Sequence, residues 1–161
     1  MTNSRLAVIL HADVVGSTAL VQLDERIAHE RIRDAFGQFS KIIESHGGTT
    51  LELRGDALLA EFARPSDAVG AAVSFQHDHT HQSTAITDGI QATVRIGIAL
   101  GEVVIADGTV TGLGVVLAQR IEQLADGGGI CVSPAIVEAV PKRLPVKFKS
   151  LGDQSLKGFD D

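Results

Sequence analysis

Two aspartates stand out by position. Asp13 follows the apolar run Leu6 to Ala12, and Asp56 lies in Arg54-Gly55-Asp56, between the strand-like runs Thr49 to Leu53 and Ala57 to Phe62. If the first run is a strand lying beside that hairpin, both carboxylates reach one end of one sheet. Paired carboxylates there, with phosphate oxygens completing the shell, suit Mg²⁺, which prefers octahedral oxygen ligation and keeps several waters. Such a site serves chemistry at phosphorus, where two ions stabilise the attacked phosphate and the leaving group. Each aspartate also has an ordinary explanation. Asp13 is of the residue type that favours the start of a helix, and Gly-Asp is a common turn pair. Taken singly, those explanations are the better ones, and pattern alone leaves a metal site as one reading of two.

The elements that position these carboxylates follow from periodicity. Leu6 to Ala12 reads as a buried strand ended by Asp13-Val14-Val15-Gly16-Ser17-Thr18. A long helical pattern then runs to about Ser45, with apolar residues at three- and four-residue intervals and a stop at His46-Gly47-Gly48. After the hairpin, Pro65 opens a second helix that fades into His77-Asp78-His79-Thr80-His81, expected to be a solvated loop. Val94 to Leu100 and Val103 to Ala106 read as two strands split by Gly101-Glu102. A Gly-punctuated link, Asp107 to Gly114, leads to a helix over Val115 to Ala125, then to the strand Ile130-Cys131-Val132, a short helix from Pro134 and strand-like Val146 to Phe148. The order β-α-β-β-α-β predicts a ferredoxin-like α+β sandwich with a C-terminal α/β extension, one domain over residues 1–161.

Composition narrows the function classes. The 161 residues are 44% hydrophobic, enough for a core built from Val, Ile, Leu and Ala, since there is no Trp or Tyr and only six Phe. A net charge of −6 argues against nucleic acid as partner, because phosphate backbones demand clustered Lys and Arg. Metal ions would still let an acidic protein hold a nucleotide. The single cysteine, Cys131, permits no internal disulfide and reads as a small buried hydrophobe. Met1 to Arg5 lacks the pattern of a signal peptide, and no apolar stretch approaches a membrane span, so the expectation is a cytoplasmic domain. Three other patterns rank low. The alternating His77, His79 and His81 share a face only in a strand, Gly112-Leu113-Gly114 lacks the third glycine of a dinucleotide fingerprint, and no phosphate-binding loop or hydrolase elbow is present.

Six blocks in order resemble the class III adenylate and guanylate cyclases. Ala7 to Thr18 is similar to their first metal motif and Arg54 to Phe62 to their second. Val94 to Ile98 resembles the strand that follows, and Gly112 to Glu122 the motif carrying transition-state residues. Gly128 to Ser133 and Leu151 to Gly158 resemble the closing signatures. The resemblance implies a metal-dependent enzyme that converts ATP or GTP to a 3′,5′-cyclic nucleotide and pyrophosphate in signal transduction. It implies two Mg²⁺ or Mn²⁺ ions held by Asp13 and Asp56, with the Val14 carbonyl as a further oxygen ligand. It also implies a homodimer with active sites across its interface, Arg120 coming from the partner chain to steady charge on the phosphates, and Lys157 near the triphosphate.

Three departures from the family pattern bear on activity. Val116 stands where the family usually has Asn, and Val neither donates nor accepts a hydrogen bond. Loss of one preorganised donor costs about 10²–10³ in rate. Glu52 occupies the base-selecting position that is often Lys in adenylate cyclases, with Thr109 as its partner position. As chemistry, a carboxylate and a hydroxyl favour guanine, while bacterial members of the family are mostly adenylate cyclases; the base stays open. The chain stops at Gly158-Phe159-Asp160-Asp161, short of the usual closing strand, which is expected of one module of a longer protein. The competing reading is a degenerate cyclase-like module that binds nucleotide or dimerises to regulate a partner, and a heterodimer with a paralogue is a further alternative to the active homodimer.

Overall fold

The structure, a computed structural model, describes residues 3–83 and 88–152. The elements are β1 (Asn3–Val14), α1 (Ser17–Leu23), α2 (Glu25–Ser45), β2 (Thr49–Arg54), β3 (Ala57–Phe62), α3 (Pro65–Ser83), β4 (Val94–Ala106), β5 (Thr109–Thr111), α4 (Leu113–Glu122), β6 (Ile130–Val132) and α5 (Pro134–Ala139). They build one six-stranded sheet in the order β2-β3-β1-β4-β5, with β6 also on β4. The pairs β2–β3, β3–β1 and β1–β4 are antiparallel, and β6 runs parallel to β4. This is the expected ferredoxin-like α+β arrangement, with β5, α4, β6 and α5 as the extension.

Alternation along the central strands sorts residues onto two faces, because strand side chains point to opposite sides with a period of two. Val8, Leu10, Ala12 and Val14 of β1 join Val94, Ile96 and Ile98 of β4 in the larger core, against Phe36, Phe39 and Ile43 of α2 and Phe75 of α3. Phe39 and Phe75 stack with ring centroids 4.1 Å apart. Ala7 and Ile9 of β1, with Ala99 and Val103 of β4, meet Ala118 and Ile121 of α4 on the other face. Each fully buried large side chain contributes about 1.5–3 kcal/mol by leaving water. Both faces are therefore covered within one chain, and the odd-numbered positions of β1 that continue past Ile9 are His11 and Asp13.

Several elements differ from the sequence-based expectation. The first long helix is two, broken at Asp24, whose carboxylate accepts from the Ile27 N–H and caps α2. The two strands expected around Gly101-Glu102 are the single strand β4, which pairs with β1 from Val94↔Val14 to Ile105↔Asn3. Gly101 is there for another reason: a Cβ on it would lie 2.7 Å from the Gly114 Cα, so the glycine admits the start of α4 rather than turning the chain. His77, His79 and His81 lie in α3, not in a loop. His79 stacks on Phe75 and hydrogen-bonds the Ala92 carbonyl, which draws the helix on past its apolar part. The Asp107-to-Gly114 link contains β5, paired with the end of β4. Val146 to Phe148 forms no strand.

Candidate active site

Asp13 and Asp56 are brought together by backbone pairing. Asp13 stands opposite Ala57 at the end of the β1–β3 ladder, and the Val14 N–H donates to the Asp56 carbonyl at 3.0 Å. Asp13 lies inside β1 rather than after it, so its side chain is held by strand geometry on the α4 face. Asp56 is exposed in the β2–β3 turn, and its Oδ2 accepts a hydrogen bond from Ser17 Oγ at 2.6 Å. That bond ties the turn to the first residue of α1. The two carboxylates and the main-chain carbonyl of neighbouring Val14 offer only oxygen donors at this end of the sheet. Hard divalent cations of the Mg²⁺ and Mn²⁺ class take such donors, so these residues fit the ions that the sequence implies.

Beneath Asp13 lies a chain of polar groups that the motif reading did not single out. Arg95 Nε–H, directly opposite Asp13 in the β1–β4 register, donates to Asp13 Oδ1 at 3.0 Å. Glu122 of α4 is fully buried, and His11 Nδ1 lies 3.0 Å from its Oε1. Arg95 Nε is also 2.7 Å from Glu122 Oε2, but its N–H points to Asp13, so this second contact is an ion pair and Oε2 accepts no hydrogen bond. Burial pushes the Glu122 carboxyl above its ordinary range, the His11 hydrogen bond opposes that, and the nearby Asp13 charge pushes it further up. The Asp13 hydrogen bond holds Arg95 more firmly protonated. A close look at period would have found this cluster: His11 and Asp13 share a strand face, and Glu122 follows Ala118 by one helical turn on the face that α4 buries.

The remaining sequence-predicted residues are dispersed. Val116 and Arg120 are one turn apart on α4, and each is two residues, about 200° of helix, away from the buried Ala118. They therefore share a face directed away from their own sheet. Glu52 is on β2, 3.5 Å from Arg54, and Thr109 is exposed on β5. These strands occupy opposite ends of the sheet order, so strand pairing does not place the two residues side by side. Lys157 lies outside the described residues. Cys131 is half-buried in β6, and burial pushes its thiol up, which makes it a poor nucleophile. A depression of about 530 Å³ lies on the other face between α3 and Gly128, lined by Gln76, His77 and His81. It is shallow and holds none of the site residues, and the carboxylate pair has the stronger chemical claim.

The family described as the adenylate and guanylate cyclase catalytic domain matches residues 2–161 of this chain. The chain belongs to that family. Among curated relatives of this cyclase domain, "Putative adenylate cyclase 3" of Rhizobium meliloti is 31% identical over 97% of the chain, which spans 27% of that protein. An uncharacterized Mycobacterium tuberculosis protein is 32% identical over 94% of the chain, which spans 51% of it. The cyclase domain thus covers about half or less of these relatives. Among solved structures, the guanylyl cyclase Cya2 matches with a TM-score of 0.79 and 28% identity, covering 96% of this chain and 89% of that one. An adenylate/guanylate cyclase/hydrolase from Silicibacter pomeroyi matches with a TM-score of 0.77 and 28% identity, over 99% and 93%. The adenylyl cyclase CyaB from P. aeruginosa shares the fold with a TM-score of 0.83 at 21% identity, over 100% of this chain and 92% of that one. Among the described residues no helix is long and apolar enough to cross a membrane.

Proposed function

We propose that this domain is an active nucleotide cyclase that converts ATP or GTP to the 3′,5′-cyclic nucleotide and pyrophosphate, for intracellular signalling. The observation that carries the reading is the backbone-enforced adjacency of Asp13 and Asp56, an oxygen donor set at the end of two paired strands, in a chain of cyclase ancestry. Asp13, Asp56 and the Val14 carbonyl would hold two Mg²⁺ or Mn²⁺ ions, which supply Lewis acidity toward the 3′-hydroxyl and the phosphates when bound. Asp13 is oriented for this by Arg95, and Asp56 by Ser17. Arg120 faces away from its own Asp13, which suits a homodimer in which each α4 serves the partner's site. There its planar, always-charged guanidinium matches the charge that grows on the phosphates. Lys157 is assigned to the triphosphate, and Glu52 with Thr109 to the base, on family resemblance. Catalysis in this scheme is mainly positioning and electrostatics, with the ribose oxygen held in line with the α-phosphate.

The second reading is a degenerate module that binds nucleotide or dimerises and regulates a partner, or one half of a heterodimer with a paralogue. Val116 favours it, since the face that carries Arg120 offers an apolar side chain where an amide would serve. The test is an incubation of the dimer with ATP or GTP and Mg²⁺ or Mn²⁺, quantifying cyclic product beside an Asp13→Ala/Asp56→Ala control. Product that vanishes in the control supports the cyclase, and the better substrate identifies the base. A folded dimer that forms no product at high concentration moves the assignment to the regulatory module or to one half of a heterodimer.

A further inference from the structure

Glu122 makes no contact with substrate in the proposed reaction, yet it is a carboxyl group with no solvent exposure, and such a group requires compensation. It is placed where α4 comes down onto β4 at Gly97, with His11 on one oxygen and Arg95 beside the other. Arg95 in turn gives its Nε–H to Asp13. An aspartate paired with a guanidinium alone has its charge largely committed, and an arriving cation would have to compete for it. Glu122 alters that balance. Two carboxylates then face one guanidinium, so its charge is divided between them rather than committed to Asp13, and the guanidinium is held from below so that the Nε–H fixes one Asp13 oxygen.

We infer that Glu122 is a positioning residue for the divalent cation at Asp13, acting through Arg95. The inference rests on the reading of Asp13 as a metal ligand. Partners one step removed from a metal typically alter affinity by about 10–100-fold when replaced. The probe is Mn²⁺ alone, titrated into the dimer well below its melting temperature and followed by the electron paramagnetic resonance of the free ion. The Glu122→Gln change keeps shape and removes charge, and it should weaken Mn²⁺ binding about tenfold or more with the circular dichroism spectrum retained. In an Arg95→Gln background the same change should have under about a third of that effect on affinity. A purely structural Glu122 would leave the affinity of the folded protein where it was.

Asp13→Asn separates the two failures. If it leaves Mn²⁺ binding unaltered, the metal reading falls and this inference with it. If it weakens binding while Glu122→Gln matches wild type within about twofold, the inference alone is overturned. An undiminished effect in the Arg95→Gln background also overturns the route through Arg95. Should Glu122→Gln fail to fold, Arg95→Lys carries the test: it keeps the charge and withdraws the Nε–H that Asp13 accepts, together with the planar group that lies beside Glu122. Binding about tenfold weaker supports the inference, and unchanged affinity overturns it.

Discussion

Gly97→Ala is a single-methyl change whose effect is fixed by backbone geometry. The Cβ of an alanine there would sit 2.6 Å from the Glu122 Cα, and closer still to the Ala118 carbonyl oxygen and the Glu122 nitrogen. Ordinary contact begins at about 3.4 Å, so α4 has to withdraw from β4 by roughly 0.8 Å or more. No rotamer relieves the clash, because every obstructing atom is main chain. Overpacking a well-filled core costs about 1–3 kcal/mol, and three backbone contacts place this case near about 3. In a domain of this size each kcal/mol moves Tm by about 2–4 °C, which gives an expected loss of about 6–12 °C. Calorimetry and urea denaturation read it. The matched control is Gly37→Ala, the same methyl on the exposed side of α2 with nothing within 4 Å, expected to stabilise by about 0.4–1 kcal/mol. A Gly97→Ala protein within about 0.5 kcal/mol of wild type would refute the claim that β4 and α4 meet backbone to backbone. Because α4 carries Arg120, the proposed cyclase activity should also fall at temperatures where the variant remains folded.

Three further outcomes follow from particular contacts. Phe75→Ala removes a fully buried ring stacked on Phe39 and should cost about 3–5 kcal/mol by denaturant titration; a loss under about 1 would mean that α3 is less well packed than it looks. Val116→Asn restores an amide beside Arg120 and should raise kcat by up to about 10²-fold, while an unchanged kcat would show that the missing donor is not what limits the rate. The Arg31 hydrogen bond holds the Asp88 carboxyl down at about 2. That pair therefore adds stability above the ordinary carboxylate pKa of about 3.9, and the contribution is lost as pH falls through about 2. The Tm gap between wild type and Asp88→Asn, small because the pair is exposed, should narrow from about pH 4 downward, and a gap that widens in acid contradicts the assignment.

The carboxylate pair was legible in the sequence because strand, turn and motif all converge on Asp13 and Asp56. The βαββαβ order was legible too, since runs such as Ala7 to Ala12 and Ala57 to Phe62 are strongly apolar. Gly101 was misread for a physical reason. A glycine in a strand signals either a bend or a close approach, and only the position of α4, about a dozen residues further on, decides between them. The histidines of α3 were misread because polar composition looks like a loop, whereas His79 is retained in the helix by a tertiary stack on Phe75. Glu122 was passed over because period shows only that it lies on the buried face of α4, while its partners, His11 and Arg95, come from two strands and meet it only in the folded sheet. The base-reading role proposed for Glu52 and Thr109 depends on surroundings that the strand order does not supply.

The two glycine contacts of α4 have a mechanical meaning. Gly97 meets the helix near its end, and Gly101 meets Gly114 near its start. Two points of main-chain contact define a line, and a rod seated along a line neither tilts nor slides without lifting off. Side-chain cushions, which could deform by a rotamer flip, are missing at both seats. The sheet with Asp13 and Asp56 and the helix with Val116 and Arg120 are therefore one solid piece within the chain. If the active site is the two-chain site proposed above, a regulating signal would act by changing how one such piece meets the other.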